Sequence, residues 1–176
     1  MGTAVRARWL MVTGALFLLT LSAARAADIQ ACSEPEFRQF DFRLGSFGVT
    51  TRLGQPAGSA LVESVLGGCM LVEYWTGAIS GQGRAHYFYD RNDRLWHLVF
   101  INDEGGRLTM AGSLQEGAMV FKGLNRFGSF EGLQRMTWAL LSDGRISQHW
   151  ELSSDNGGTW TSVFLGYYAQ RPAVPR

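Results

Sequence analysis

RMTWALLSDGRISQHWELSSDNGGTWTSVFLGYY, residues 135–168, contains three apolar-rich runs that are separated by two turn signals. Within each run apolar and polar residues tend to alternate, which is typical of a half-buried β-strand. Asp143-Gly144 favours a two-residue hairpin turn after the first run. SSDNGGTW, residues 153–160, is rich in the residues that form tight turns. The stretch therefore predicts three consecutive antiparallel strands.

Short runs and turns of the same kind extend back to about residue 45, and no helical period persists beyond that point. A long sheet of sequential hairpins tends to close because closure removes its exposed edges. We therefore predict an all-β fold, an antiparallel closed β-barrel of about ten strands across residues 46–170, with residues 171–176 as a tail. The predicted strands cover residues 47–53, 59–66, 70–80, 84–90, 95–102, 107–114, 118–123, 133–141, 145–152 and 161–170.

The first 26 residues have the features of a secretory signal peptide. Arg6 and Arg8 precede an apolar run at residues 9–21, and Ala24-Arg25-Ala26 places small residues at a cleavage site. The apolar run is too short to span a bilayer comfortably, although an uncleaved anchor helix is the alternative. We expect the mature chain to be periplasmic or secreted, with no membrane contact after cleavage.

Residues 27–45 form an N-terminal segment with a short helix predicted at about 34–40. Ser33 is the expected N-cap, with Pro35 in the first turn and Glu36 at the capping-box position. Cys32 and Cys69 are the two cysteines of the chain. Because an exported chain meets an oxidising compartment, we expect a disulfide between them, the alternatives being a reactive thiol or two buried free thiols.

SSDNGGTW also matches the Asp-box pattern Ser-x-Asp-x-Gly-x-Thr-Trp, which recurs on the propeller blades of sialidases. Here the motif occurs once, and about 150 mature residues are too few to form a propeller of six four-stranded blades. We therefore interpret the stretch as a turn in which Asp155 accepts hydrogen bonds from backbone amides, Gly157 adopts a positive φ and Trp160 packs under the loop. A glycan contact at this loop is the alternative.

FDFRLGSFGV, residues 40–49, resembles the F-D-F-W-x-G-x-W-x-V opening of a group of uncharacterised calycin-like bacterial proteins. The likeness continues through VESVLGGCMLVEYWTG, YDRNDRLWHLVFINDEGGRL and the stretch quoted first, and it covers residues 40–168. It implies a lipocalin-like barrel and no particular activity. Arg43 and Phe47 stand where that group usually has tryptophan.

Polar residues inside the predicted strands are the candidate ligand-binding groups. Glu63 and Glu73 interrupt apolar runs, and a buried carboxylate is costly unless it is paired, for which Arg135 is the obvious partner. With Ser142 opposite Arg145, Arg135 shares a face with Gln148, and we predict that this face is interior. The alternatives are a structural Glu–Arg pair or exposed glutamates. The predicted ligand-binding residues are Glu63, Glu73, Arg135, Gln148, Trp150 and Tyr87.

No motif for metal binding, a nucleophile or a phosphate cradle is present, so we predict no metal site, no catalytic residues and no cofactor. His86 and His97 lie on the same face of the sheet only if the residue numbers of directly opposite positions in their two strands sum to 185. The net charge of +1 gives no reason to expect nucleic acid as a partner.

The predicted function is binding of a small, partly apolar ligand in the barrel. The rivals are a barrel isomerase or hydrolase with a glutamate as acid or base, and a structural or interaction module.

Overall fold

The computed structural model describes residues 31–79, 81–127 and 129–172, together with residue 2. The predicted signal peptide and the end of the predicted tail, residues 173–176, lie outside these ranges. Within them no helix is long and apolar enough to cross a membrane. The strands are β1 Gly45–Thr51, β2 Pro56–Val65, β3 Met70–Gly77, β4 Gln82–Asp90, β5 Leu95–Asn102, β6 Arg107–Gln115, β7 Ala118–Phe127, β8 Phe130–Leu140, β9 Ile146–Ser153 and β10 Thr161–Gln170.

The ten strands form one closed antiparallel barrel, which confirms the predicted fold. Each strand pairs with its neighbours in sequence, and β1 pairs with β10 to close the sheet, for example Val49 with Tyr168. In such a meander the connections after odd-numbered strands lie at one end, which we call the mouth. The connections after even-numbered strands lie at the other end, which we call the base.

The N-terminal segment covers the base. Its predicted helix is two short 3₁₀ helices, Pro35–Arg38 and Asp41–Arg43. Ser33 is not the N-cap; Glu34 occupies that position without a side-chain capping bond, because its carboxylate binds Arg91 of the turn after β4 instead.

The predicted disulfide between Cys32 and Cys69 is confirmed. It joins the N-terminal segment to the connection between β2 and β3, which lies at the base. Arg38 donates hydrogen bonds to the carbonyls of Cys32 and Gly68, and Phe37 packs edge-on against Tyr89 with ring centroids 5.3 Å apart. The segment is therefore fixed to the barrel by a covalent bond, hydrogen bonds and ring packing.

The base half of the barrel contains the tightly packed core. Phe40 is fully buried at its centre, with its ring 5.1 Å from Tyr87, 5.7 Å from Trp96 and 5.8 Å from Phe121. Such tilted and edge-on aromatic contacts add to the stabilisation that burial of the rings provides. Because this cluster fills the base, open space is left towards the mouth.

The predicted register between β8 and β9 is wrong by one residue. Leu141 donates its amide to the Arg145 carbonyl, so the loop has three residues and ends at Gly144, whose φ is +82°. A three-residue loop with a left-handed glycine is another common hairpin form, and the sequence SDG suits both. The pairing numbers therefore sum to 286, as in Trp138 opposite Gln148, and not to 287.

The Asp-box stretch forms the connection between β9 and β10. Asp155 accepts hydrogen bonds from the amide and hydroxyl of Thr159 and from the hydroxyl of Ser153, while the Gly157 amide donates to that same hydroxyl. Gly157 has a φ of +93°. These bonds, led by the Thr159 amide, lower the pKa of Asp155 to about 2. The strand resumes at Thr161, as the sequence predicts.

Candidate ligand-binding cavity

A cavity of about 530 Å³ occupies the mouth half of the barrel. This volume lies within the range that small-molecule pockets have in proteins. Polar and charged residues at the mouth include Asn102, Glu104, Arg107 and Arg126. The rings that line the walls belong to Trp75, Tyr87, Phe100, Trp150, Phe164 and Tyr168.

Interior glycines make room for the wall rings. A Cβ atom at Gly58 would lie 2.7 Å from the ring of Trp75, and one at Gly83 would lie 2.3 Å from the ring of Phe100. These distances show that each ring rests on the backbone of a neighbouring strand, as aromatic residues do over strand glycines. The rings can therefore lie along the wall, which leaves the lumen open.

The floor of the cavity is built around Glu73, which is 4% exposed. Tyr87 donates its hydroxyl to Glu73 Oε2 at 2.7 Å, and the guanidinium of Arg43 lies 2.8 Å from the same oxygen. Glu73 Oε1 accepts no hydrogen bond from the described residues. A buried carboxylate of this kind is tolerated because a cation and a hydrogen-bond donor compensate for its lost hydration.

Arg43 enters the barrel from the N-terminal segment and is fully buried. The guanidinium carbon lies 3.6 Å from the ring centroid of Trp138 and 4.6 Å from that of Tyr168, so that cation–π contacts add to the ion pair. Burial is the largest influence on the pKa of Arg43 and opposes the charged form, but Glu73, Tyr87 and Tyr168 together outweigh it, and the pKa is raised. Arg43 is therefore a permanent cation below the floor.

Gln148 continues the polar floor on the other side of Tyr168. The Tyr168 hydroxyl donates to Gln148 Oε1 at 2.7 Å, and Gln148 Nε2 lies 3.2 Å from the sulfur of Met136. A thioether can accept but not donate, and it is a weak acceptor. Burial, followed by the negative charge of Glu73, raises the pKa of Tyr168 well above its usual value. The tyrosine therefore stays a neutral donor.

Four of the six predicted ligand-binding residues line this cavity: Glu73, Tyr87, Gln148 and Trp150. Trp150 also donates its indole N–H to Gln134 Oε1 at 3.0 Å, which fixes the ring against the wall. The structure brings these residues together as the sequence predicted. Whether they bind a ligand stays a prediction.

The other two predicted residues, Glu63 and Arg135, face outwards. Glu63 follows the buried, inward-facing Val62 in β2 and is therefore turned to the outer side of the sheet. Arg135 lies opposite Glu151 and binds it with two hydrogen bonds of 2.8 and 2.9 Å, an interaction that lowers the pKa of Glu151. The register shift at Gly144 turned Arg135 out of the predicted interior.

Arg43 is the site residue that the sequence interpretation missed. A signal was present as a spacing of three, Phe37, Phe40 and Arg43, in a segment that forms two short 3₁₀ helices with Phe40 between them. All three side chains are buried, with exposures of 3%, 0% and 0%. The segment that supplies the aromatic plug thus also delivers the cation that Glu73 needs.

The histidines lie outside the cavity. The pairing numbers of β4 and β5 sum to 185, so His86 and His97 share the outer face. Asp90, Asp93 and His97 have ligand atoms within 4.8 Å of one another. Asp93 already binds His97, and Asp90 accepts hydrogen bonds from Asn92 within the turn. This cluster is fully explained as a polar turn.

Fold and cavity together define a closed ten-stranded antiparallel barrel with an aromatic lumen and a paired, buried charge at its floor. No model of a known protein family matches this chain, and no curated protein sequence matches it. The resemblance to the calycin-like group therefore stays an expectation.

Proposed function

We propose that this protein is an exported binding protein that holds a small, partly apolar molecule in its lumen. The observation that supports this function most directly is the cavity of about 530 Å³ above the Glu73–Arg43 floor. Its aromatic walls supply apolar contact area, and its few polar groups supply orientation, as in ligand pockets of known proteins. The disulfide is consistent with an oxidising compartment.

The surroundings of Glu73 favour binding over acid–base catalysis. A general base needs a carboxylate that is free to take up a proton from the substrate. Arg43 and Tyr87 both contact Oε2, so the carboxylate is held in place by a cation and a hydrogen-bond donor. We therefore assign Glu73 the role of a fixed hydrogen-bond acceptor.

A fluorescent probe tests lumen binding. N-phenyl-1-naphthylamine is neutral and apolar, and its emission rises when it leaves water. We expect saturable binding of one probe per chain. Leu108, which lines the cavity, is replaced by tryptophan to fill the lumen, and the matched Leu124→Trp places the same ring on the outer face, where Leu124 is 73% exposed.

Leu108→Trp should abolish probe binding, and Leu124→Trp should leave it unchanged. If Leu108→Trp does not fold, as judged by circular dichroism, Val163→Trp fills the mouth from another strand. Absence of binding in the native protein, or equal binding in filled and control variants, would contradict a lumen site. Native mass spectrometry of the purified protein then identifies the mass of any molecule retained from the host.

Export is tested separately from binding. The full chain is expressed in a bacterial host, and the mass of the product is measured in the periplasmic and cytoplasmic fractions. We expect a periplasmic product that begins at Ala27, because Ala24-Arg25-Ala26 forms the cleavage site. A full-length cytoplasmic product with free thiols would contradict export.

A further inference from the structure

We propose that the lumen selects neutral, planar ring compounds whose edge carries an N–H or O–H donor beside a carbonyl acceptor, as in a lactam. The inference rests on the proposed function and specifies its ligand. It follows from the hydrogen-bonding capacity that the floor leaves unused, from the balance of charge at the floor and from the shape of the walls.

Glu73 supplies the acceptor of the floor. Its Oε2 is occupied by Tyr87 and Arg43, whereas Oε1 accepts no hydrogen bond from the described residues and Glu73 lines the cavity. A carboxylate oxygen takes hydrogen bonds and never donates one when ionised. A ligand that reaches the floor therefore satisfies it best with an N–H or O–H group.

Gln148 supplies the donor. Its Oε1 is taken by the hydroxyl of Tyr168, and Nε2 has only the weak thioether acceptor of Met136 among the described residues. An amide nitrogen has two hydrogens, so at least one remains for a stronger acceptor. A carbonyl oxygen on the ligand supplies that acceptor.

The two groups belong to one continuous floor. The guanidinium of Arg43 lies 2.8 Å from Glu73 Oε2 and 4.6 Å from the ring centroid of Tyr168, whose hydroxyl binds Gln148 at 2.7 Å. Glu73 and Gln148 also line the same cavity, so a single small molecule that fills it can meet both groups. Two further donors that line the cavity, Tyr87 and Trp150, are engaged with Glu73 and Gln134, whereas Asn102, Arg107 and Arg126 lie at the mouth.

Charge at the floor favours a neutral ligand. The positive charge of Arg43 and the negative charge of Glu73 cancel within the buried site. An anion would be repelled by Glu73, and a cation would compete with Arg43, while either ion would lose its hydration shell on entry. The flat walls, with Trp75 and Phe100 resting on backbone glycines, favour a planar ring.

Four bicyclic compounds of similar size test the inference by displacement of N-phenyl-1-naphthylamine from the native protein. Quinolin-2(1H)-one has the donor and the carbonyl, 1-methylquinolin-2(1H)-one lacks the donor, naphthalene lacks both, and 2-naphthoate adds a negative charge. We expect the unmethylated lactam to displace the probe at concentrations at least about tenfold lower than each of the others, because each of the others leaves a buried polar group unpaired or introduces a charge.

A pair of variants locates the effect. Gln148→Leu should lower the affinity for the lactam, because the ligand carbonyl loses its donor, and should change the affinity for naphthalene much less. The matched Gln115→Leu lies on the outer face, beside a separate groove, and should retain the tenfold preference. If Gln148→Leu is misfolded by circular dichroism, the four-compound series on the native protein decides alone.

The failures are distinguishable. Equal displacement by lactam and naphthalene, equal displacement by the methylated lactam, or strongest displacement by 2-naphthoate would each overturn the inference while lumen binding of the probe stands. If the probe itself does not enter the lumen, the proposed function fails first and the inference fails with it.

Discussion

Replacing Arg43 with methionine should destabilise the protein far more than removal of any surface arginine. Methionine fills much of the space of the arginine stem but leaves the carboxylate of Glu73 buried without its cation. Removal of one partner from a buried ion pair typically costs about 3–5 kcal/mol, because the remaining charge has lost both its partner and its hydration. The contacts with Trp138 and Tyr168 are lost as well.

Urea unfolding with the disulfide intact measures this cost. At a typical urea dependence of about 2 kcal/mol per molar, the midpoint should fall by roughly 2 M. Arg126→Met is the matched control, because Arg126 pairs with Glu131 at the exposed surface and such pairs contribute little.

The double variant Arg43→Met, Glu73→Met separates loss of the pair from loss of packing. Replacement of both partners by apolar side chains is often neutral or stabilising, because no charge remains buried. We expect the double variant to recover most of the stability that Arg43→Met loses. The reasoning is refuted if Arg43→Met is no less stable than Arg126→Met, or if the losses of the two single variants simply add.

Three further outcomes are expected. Asp155→Asn should lower the unfolding midpoint at pH 7. Because the folded-state pKa of Asp155, about 2, lies below the usual 3.8, the native protein is more stable than the variant above pH 4 and loses this advantage as the pH falls towards 2. Unfolding curves at several pH values would show this loss. Cys32→Ser with Cys69→Ser should cost about 4 kcal/mol in urea unfolding, as the chain-entropy model gives for this loop, and an unchanged midpoint would contradict a closed bridge. Arg135→Ala should leave the affinity of the probe for the lumen unchanged, because Arg135 binds Glu151 on the outer face. A weaker affinity would indicate the alternative register, in which Arg135 faces the interior.

The bounds of a strand were predictable where turn residues lie at both ends of a run of alternating apolar and polar residues. β5 and β10 have the bounds that the sequence predicts, residues 95–102 and 161–170. β7 was predicted to end at Gly123 but continues to Phe127. A Cβ at Gly123 would lie 2.3 Å from the carbonyl oxygen of Thr109, so the glycine permits close approach of two strands and is no break.

The inward face of β8 was not predictable from the hairpin alone. Two-residue and three-residue loops both accept SDG, and the choice between them turns every side chain of one strand to the other face relative to its partner. In β9 both faces are partly buried, because Glu151 and Ser153 are covered on the outer side as Ile146 is on the inner side. The face of β9 that carries Gln148 and Trp150 was nevertheless correctly assigned to the interior, and the error in register then placed Arg135 there as well.

The polar floor illustrates why a strand-by-strand interpretation finds a buried carboxylate more easily than its partner. Glu73 is conspicuous because it interrupts an apolar strand, whereas Arg43 lies outside every strand. The arginine reaches Glu73 only after the N-terminal segment folds over the base, where the bond from Cys32 to Cys69 fixes it. Because that bond shortens the chain that must be ordered, it lowers the entropic cost of placing Arg43. The segment before the first strand thus supports the floor of the cavity, since without it Glu73 would be a buried, unpaired charge.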